Sequence, residues 1–257
     1  MAGKDLWKAD HMATNQLGID QLFIALAGFD WGADASFLAA IDALVVAAAG
    51  DPDRSRDLER RFNAVLAADT SRAAKEYACR RLCLIGTTAS VPGLAALLGE
   101  PEHSHMARFA LERIDAAEAA EALREAVGHL SGRLRIGMIS SLAARRDAAA
   151  VPVLAPLVRA GEPELASAAA FALGRIGTTE AAAALAAADD HTSPIADVVF
   201  DARISCAEQM LADGDRPAAQ AVYRSLAAAC EIEPDSRRER AARFAARSGL
   251  IDALDDT

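Results

Sequence analysis

The sequence predicts an all-α protein, an α-α superhelix of stacked helix pairs, and three observations lead there. Ile85-Gly86-Thr87-Thr88 returns letter for letter as Ile176-Gly177-Thr178-Thr179, and intervening copies of the same helix end at Ile114 and Arg145. The steps between these ends are 29, 31 and 31 residues, and a period of about thirty in a helical sequence marks a solenoid. A second phrase keeps the register, since Val91-Pro92-Gly93-Leu94-Ala95-Ala96-Leu97 returns as Val151-Pro152-Val153-Leu154-Ala155-Pro156-Leu157. The third observation is composition: the chain is 53% hydrophobic but only 5% aromatic. Alanine carries much of the apolar share; it is the best helix former, and its small side chain lets helices approach closely. No long Val/Ile/Thr/Tyr run alternates with polar residues as a strand would.

The elements follow in order. Residues 1–20 read as a disordered lead or tag: Met1 to Met12 is polar without pattern, and His11-Met12 is what a cloning junction leaves. From residue 21 to 257 the chain reads as a single solenoid. Gln21 to Leu26 is apolar and stops at Gly28-Phe29-Asp30-Trp31-Gly32, where the glycines and the aspartate break helix; Phe29 and Trp31 would close the open end of the first pair. A helix from Ser36 to Ala49 pairs with one from Asp57 to Ala67 across Gly50-Asp51-Pro52.

Regular repeats occupy about 72–190. Their signature helices are Arg72–Ile85, Ser104–Ile114, Arg133–Ala144 and Glu164–Ile176, and the returning helices are Ser90–Leu98, Ala117–Leu130, Ala149–Val158 and Glu180–Ala188. Ala78/Leu82/Ile85, Ala107/Leu111/Ile114 and Ala169/Leu173/Ile176 fall at i, i+4, i+7, one buried stripe repeated in register. Pro92 and Pro152 stand in first turns, where a missing N–H costs nothing, and Thr87-Thr88 and Thr178-Thr179 can cap through their hydroxyls. Asp190-His191-Thr192-Ser193-Pro194 reads as a loop. The pair over 196–230 looks tetratricopeptide-like, through Leu211-Ala212-Asp213-Gly214-Asp215, Ala218, Tyr223 and Leu226. Glu231 to Asp235 is an acidic loop, and a charged helix over 236–250 would cap the array.

Charge and cysteine content narrow the function. The net charge is −10, which argues against nucleic acid, because phosphate binding needs a basic face. Eight arginines in the middle repeats (80, 81, 108, 113, 133, 135, 145 and 146) read as solvated faces and inter-repeat ion pairs. No run of eighteen apolar residues exists, so no membrane span is expected. Without a basic start and an unbroken apolar core, the chain as given reads as cytoplasmic. Four cysteines make no disulfide scaffold in a chain of this size.

Ala172-Leu173-Gly174-Arg175-Ile176-Gly177 resembles the HEAT-repeat consensus, in particular the short bacterial PBS-lyase HEAT-like type. Tyr77 to Gly86, Ser104 to Glu112, the Phe29-Asp30-Trp31-Gly32 turn and the Arg145-Arg146-Asp147 break are similar to a planctomycete and verrucomicrobial group of HEAT-repeat proteins. The resemblance covers most of residues 27–230. It implies an α-solenoid and a protein-binding role without a particular activity, and relatives in that group are often exported.

Candidate chemistry is sparse. Cys79 and Cys83 share a helical face and could bind a soft metal, with His105 one repeat along. In register, however, Cys79 aligns with Ala170 and Cys83 with Gly174, where sister repeats place small packed residues, and a buried free cysteine behaves as a small hydrophobe. Deoxyhypusine hydroxylase, a di-iron HEAT-repeat enzyme, uses paired His-Glu dipeptides; this chain has His105-Met106 and no His-Glu. Bilin lyases share the repeat class too, so a metal- or bilin-dependent enzyme is the alternative function. No catalytic triad, phosphate loop or carboxylate pair stands out.

The leading expectation is therefore a non-enzymatic scaffold with no cofactor, binding a protein partner on a concave face built from the signature helices. Tyr77, Arg80, His105, Phe109, Arg113, Arg135 and Phe171 point away from the buried stripe, and aromatic and arginine residues are the usual interface anchors. One departure stands apart. Arg145 replaces the stripe isoleucine and Arg146 the following glycine, so a structural ion pair is expected there, with Asp147 or Asp115 as the favoured carboxylate.

Overall fold

Asp51 shows how these helices begin: its carboxylate accepts from the backbone N–H groups of Asp53 and Arg54, and Pro52 occupies the first helical position. A side-chain oxygen at that place satisfies donors the helix cannot, and proline loses nothing there. Helix formation consequently starts at Pro52, five residues ahead of the expected Asp57. A computed structural model describes residues 18–188 and 193–229, which form two compact units with a boundary between Ala122 and Leu123.

In the first unit, α1 (Ile19–Ala27), α2 (Leu38–Ala47), α3 (Pro52–Ala67) and α4 (Arg72–Ile85) lead to a 3₁₀ turn at Thr88–Ser90. Then come α5 (Val91–Ala96), α6 (Ser104–Leu111) and the start of α7 (Ala117–His129). The expected apolar segment at residue 21 thus belongs to a helix that begins at Ile19. α4 packs between α3 and α6. Ala78, Leu82, Ala107, Leu111 and Ile114 are buried as the register requires, whereas Ile85 stays half-exposed because it borders a groove beside the end of α2. Phe29 packs edge-on against Phe37 and its carbonyl accepts from the Ser71 hydroxyl, closing the turn, while Trp31 remains exposed beneath Arg72.

In the second unit, α8 (Gly132–Arg145), α10 (Pro163–Ile176) and α12 (Ala196–Ala212) stack in sequence, with α11 (Thr179–Ala187) returning after α10 and α13 (Arg216–Ala229) after α12. The helix expected at Ala149–Val158 is broken: a 3₁₀ turn at Ala148–Ala150, a single turn α9 (Val151–Leu154) and another 3₁₀ stretch at Ala155–Arg159. Pro156 is the cause, since it cannot donate to the preceding carbonyls in the second turn. Met138, Leu142, Ala169, Leu173 and Ile176 continue the buried stripe. Thr87 and Thr178 make the expected caps, to the N–H groups of Ala89 and Ala181; their neighbours Thr88 and Thr179 do not. Among the described residues there is no strand, and the all-α solenoid class holds. Most of the lead (1–17), residues 190–192 of the loop at 190–194, Cys230, the acidic loop and the capping helix at 236–250 lie outside the described residues.

The two copies of Ile-Gly-Thr-Thr do not share a backbone. Gly177 sits in the left-handed region at φ 69°, ending α10. Gly86 has φ −67° and is glycine for a different reason: a Cβ there would lie 2.5 Å from the Leu82 carbonyl and 2.9 Å from Ile114 Cδ1. Close approach of α4 to the end of α6 demands the small residue in one copy, and chain reversal in the other.

Candidate functional site

Each signature helix carries an outward pair of positions, five residues and one residue before the stripe isoleucine. A helix brings residues four apart onto one face. In the first unit these pairs are Arg80 with Leu84 and Phe109 with Arg113; in the second, Ser140 with Ala144 and Phe171 with Arg175. Leu84 is 69% exposed and Phe171 58%. The Arg113 guanidinium lies over the Phe109 ring, 3.7 Å from its centroid, and reaches the Phe109 carbonyl. Such stacking holds a charged group and an aromatic surface together in water at little conformational cost.

Of the seven expected interface residues, six stay at least partly open. Arg80, His105, Arg113 and Phe171 are exposed, and Phe109 and Arg135 are half-exposed. Arg80 and Arg113 hold their carboxylates loosely, 3.9 Å from Glu76 and Glu112. His105 has an Arg108 nitrogen 3.4 Å from its Nδ1. Tyr77 is a correction: it is buried, and its hydroxyl donates to the Leu38 carbonyl and to Asp42. α4 is covered on two sides, so its buried surface is wider than one stripe and takes in the ring of Tyr77, packed near Phe62 and under Arg81. Burial, and then the bond to Asp42, push its hydroxyl above the usual phenol range. The remaining members fall in two units, Arg80 to Arg113 in the first and Arg135 and Phe171 in the second.

The thiols are poorly suited to chemistry. Cys79 is buried, and burial pushes its pKa up to about 12. Cys83 is half-buried against the Phe109 carbonyl; burial raises it to about 11, with Arg113 and Arg80 pulling the other way. A protonated thiol is a weak nucleophile and a weak ligand at neutral pH. No group of three or more His, Cys, Asp or Glu side chains is placed to hold a metal among the described residues, His105 included.

Arg146 makes an ion pair as expected of this departure, but with neither of the favoured carboxylates. Asp147 pairs not with Arg145 or Arg146 but with Arg124, at 2.5 Å, and Asp115 is exposed. The backbone explains the change. Arg146 stands at φ 51°, ending α8 with the Asp147 N–H bonded to the Leu142 carbonyl, and this left-handed turn aims its side chain at the next repeat. There the guanidinium donates to the Arg175 and Ile176 carbonyls, each at 3.2 Å, and to both carboxylate oxygens of Asp213. Arg145 is half-buried beside it. Asp147, in turn, occupies the register position of Thr87, and both receive a side chain from an earlier returning helix. Thr87 donates its N–H and hydroxyl to the buried Glu59, which also accepts from Ser90.

One surface was not foreseen. Val46, 75% exposed, and Leu84 flank a groove of about 530 Å³ whose wall includes Val45, Ala49, Ile85 and Gly86. The available signal was Leu84 itself, an aliphatic side chain where sister repeats carry Arg113 and Arg175.

Residues 120–203 match the family described as HEAT repeats. No curated protein sequence matches the chain. Among solved structures, human deoxyhypusine hydroxylase in complex with glycerol is 18% identical, covering 94% of this chain and 98% of that one with a TM-score of 0.38. At that score the likeness carries no argument; the family match covers residues 120–203, and the all-α class stands on the helix pairs themselves. No helix among the described residues is long and apolar enough to cross a membrane.

Proposed function

We propose that this chain is a non-enzymatic scaffold that binds a protein partner through the outward pairs of its signature helices. The observation that carries the reading is the exposure of large side chains at one register position: Phe171 at 58%, with Phe109 stacked under Arg113 at the equivalent place. A repeat array has no structural need to leave phenylalanine in water, while aromatic and arginine anchors are what interfaces concentrate. Arg80, His105, Arg113 and Arg135 supply the polar rim. The proposed partner is protein rather than nucleic acid or membrane, in keeping with the net charge of −10.

Quantitative affinity capture from the native host tests this. The wild-type chain, Phe109→Ala/Phe171→Ala and Cys79→Ser/Cys83→Ser are compared side by side. The reading expects proteins enriched on wild type to be retained by the cysteine variant and lost from the phenylalanine variant. Equal enrichment on all three would overturn it, and loss confined to the cysteine variant would favour a thiol-dependent activity.

A further inference from the structure

One phrase occurs twice, as Phe109-Ala110-Leu111-Glu112-Arg113-Ile114 and as Phe171-Ala172-Leu173-Gly174-Arg175-Ile176, and the two copies are used differently. In the first unit the pair is closed on itself. The Arg113 guanidinium lies on the Phe109 ring, reaches the Phe109 carbonyl and stands 3.9 Å from the carboxylate of Glu112. In the second unit Gly174 takes the place of Glu112, and the packing requires it: a Cβ there would lie 2.7 Å from the Ala202 carbonyl oxygen, where α12 packs on α10. The helix contact has therefore removed the internal carboxylate. Phe171 is 58% exposed and Arg175 is exposed one helical turn further on. Among the described residues no ring or carboxylate is paired with the Arg175 guanidinium.

The surroundings of this open pair favour an anion. α8 and α10 pack against each other and carry four arginines (Arg133, Arg135, Arg145 and Arg175) against one acidic residue, Glu164, in a chain of net charge −10. Glu164 stands in the first turn of α10, about 16 Å along the axis from Arg175. At the positions equivalent to Phe171 and Arg175, α8 has only the small side chains of Ser140 and Ala144, both exposed.

We infer that Phe171 and Arg175 read an acidic segment of a partner protein, the ring taking an apolar side chain and the guanidinium the carboxylate beside it. The inference rests on the scaffold reading and names the partner's chemistry for the second unit. An exposed ring supplies contact area without selecting a sign of charge. The unpaired guanidinium one turn away selects it, since it binds a carboxylate through two parallel hydrogen bonds and repels a basic segment. At the first copy Phe109, Arg113 and Glu112 already satisfy one another, so a carboxylate would gain less there. Charge selection falls to the second copy.

The test is selection from a random dodecapeptide display library on the full chain, repeated on Arg175→Glu. Peptides enriched on wild type are expected to place Asp or Glu beside an aromatic or aliphatic residue. They should bind Arg175→Glu, Arg175→Gln and Phe171→Ala about tenfold more weakly. They should bind Arg56→Glu on α3, the same charge change at another exposed site, as wild type does. Selection on Arg175→Glu should turn to peptides with Lys or Arg beside the apolar residue. Both side chains are exposed, so thermal melts matching wild type are expected for the variants. Enriched peptides without an acidic bias, unchanged binding to Arg175→Glu, or no enrichment at all overturns the inference. So does a dimer dispersed by Phe171→Ala, in which a second copy takes the partner's place. The two proposals fail separately. Host proteins lost with Phe109→Ala/Phe171→Ala but indifferent to Arg175→Glu leave the scaffold standing without this charge selection. Peptide selection as expected, with host capture indifferent to the phenylalanines, leaves the pair without the scaffold role.

Discussion

Arg146 and Asp213, 67 residues apart, form a two-pronged ion pair that ties together the ends of three successively stacked helices, α8, α10 and α12. Arg146 closes α8, its guanidinium covers the last carbonyls of α10, and Asp213 closes α12. A cation at a helix C-terminus is favoured by the helix dipole as well as by the carbonyls it satisfies. The pair is partly exposed, so its Coulomb attraction is modest. The carbonyl bonds and the fixed geometry carry the rest.

Substitution at Arg146 separates those contributions. Its left-handed backbone costs a non-glycine residue about 1 kcal/mol, and the sister position Gly177 shows what the turn prefers. Arg146→Ala keeps the strain and loses the clip, so it should destabilise by about 1 to 2 kcal/mol. Arg146→Gly loses the clip but relieves the strain and should cost clearly less. Urea melts of the two variants give the order; equal loss would show that the strain is not real.

Acid titration tests the same pair. The bond from Arg146 holds the Asp213 carboxyl below its usual range. A depressed folded pKa means stability present above the unfolded value, near 3.8, and lost as pH falls through the folded one. Wild type should therefore melt above Asp213→Asn at pH 7, and the gap should close below pH 3.8. A gap that persists at the lowest pH would locate the effect elsewhere.

Gly177→Ala should be more damaging than any of these. The position has φ 69°, and a Cβ there would meet the Gln209 side chain at 2.5 Å. Strain and overlap together should cost about 2 kcal/mol or more, read as a lowered thermal midpoint.

Glu59 offers a buried counterpart. Its carboxylate accepts from the Thr87 N–H and hydroxyl and from Ser90, at 3% exposure. Glu59→Ala strands those donors and should lose about 2 to 3 kcal/mol, while Glu59→Gln keeps part of the acceptor set and should lose less. Chemical denaturation of both variants measures the difference.

The helical period made most of this fold legible, because stripe residues such as Leu82, Leu111 and Leu173 recur at one phase and repeat after repeat must bury them. What the period could not supply was the second covered side of α4. Tyr77 lies outside the repeated stripe yet is buried, since α2 brings Leu38 and Asp42 to its hydroxyl and α3 brings Phe62 to its ring. It also could not supply backbone handedness. Arg146 was visible as a residue in a glycine position, but only φ 51° at that turn sends the side chain to Asp213 instead of Asp147. The outward positions were half legible: Arg80, Phe109, Arg113 and Phe171 were singled out, whereas Val46 and Leu84 resemble core residues in sequence and differ only in what lies above them.

The most direct test of the scaffold reading is oxidative footprinting of the chain in complex with the proteins it captures, read residue by residue by mass spectrometry. The account predicts that Phe109 and Phe171 become protected on binding while Trp31, exposed on the turn after α1, oxidises as before. Protection at Trp31 with Phe109 and Phe171 unchanged would contradict it.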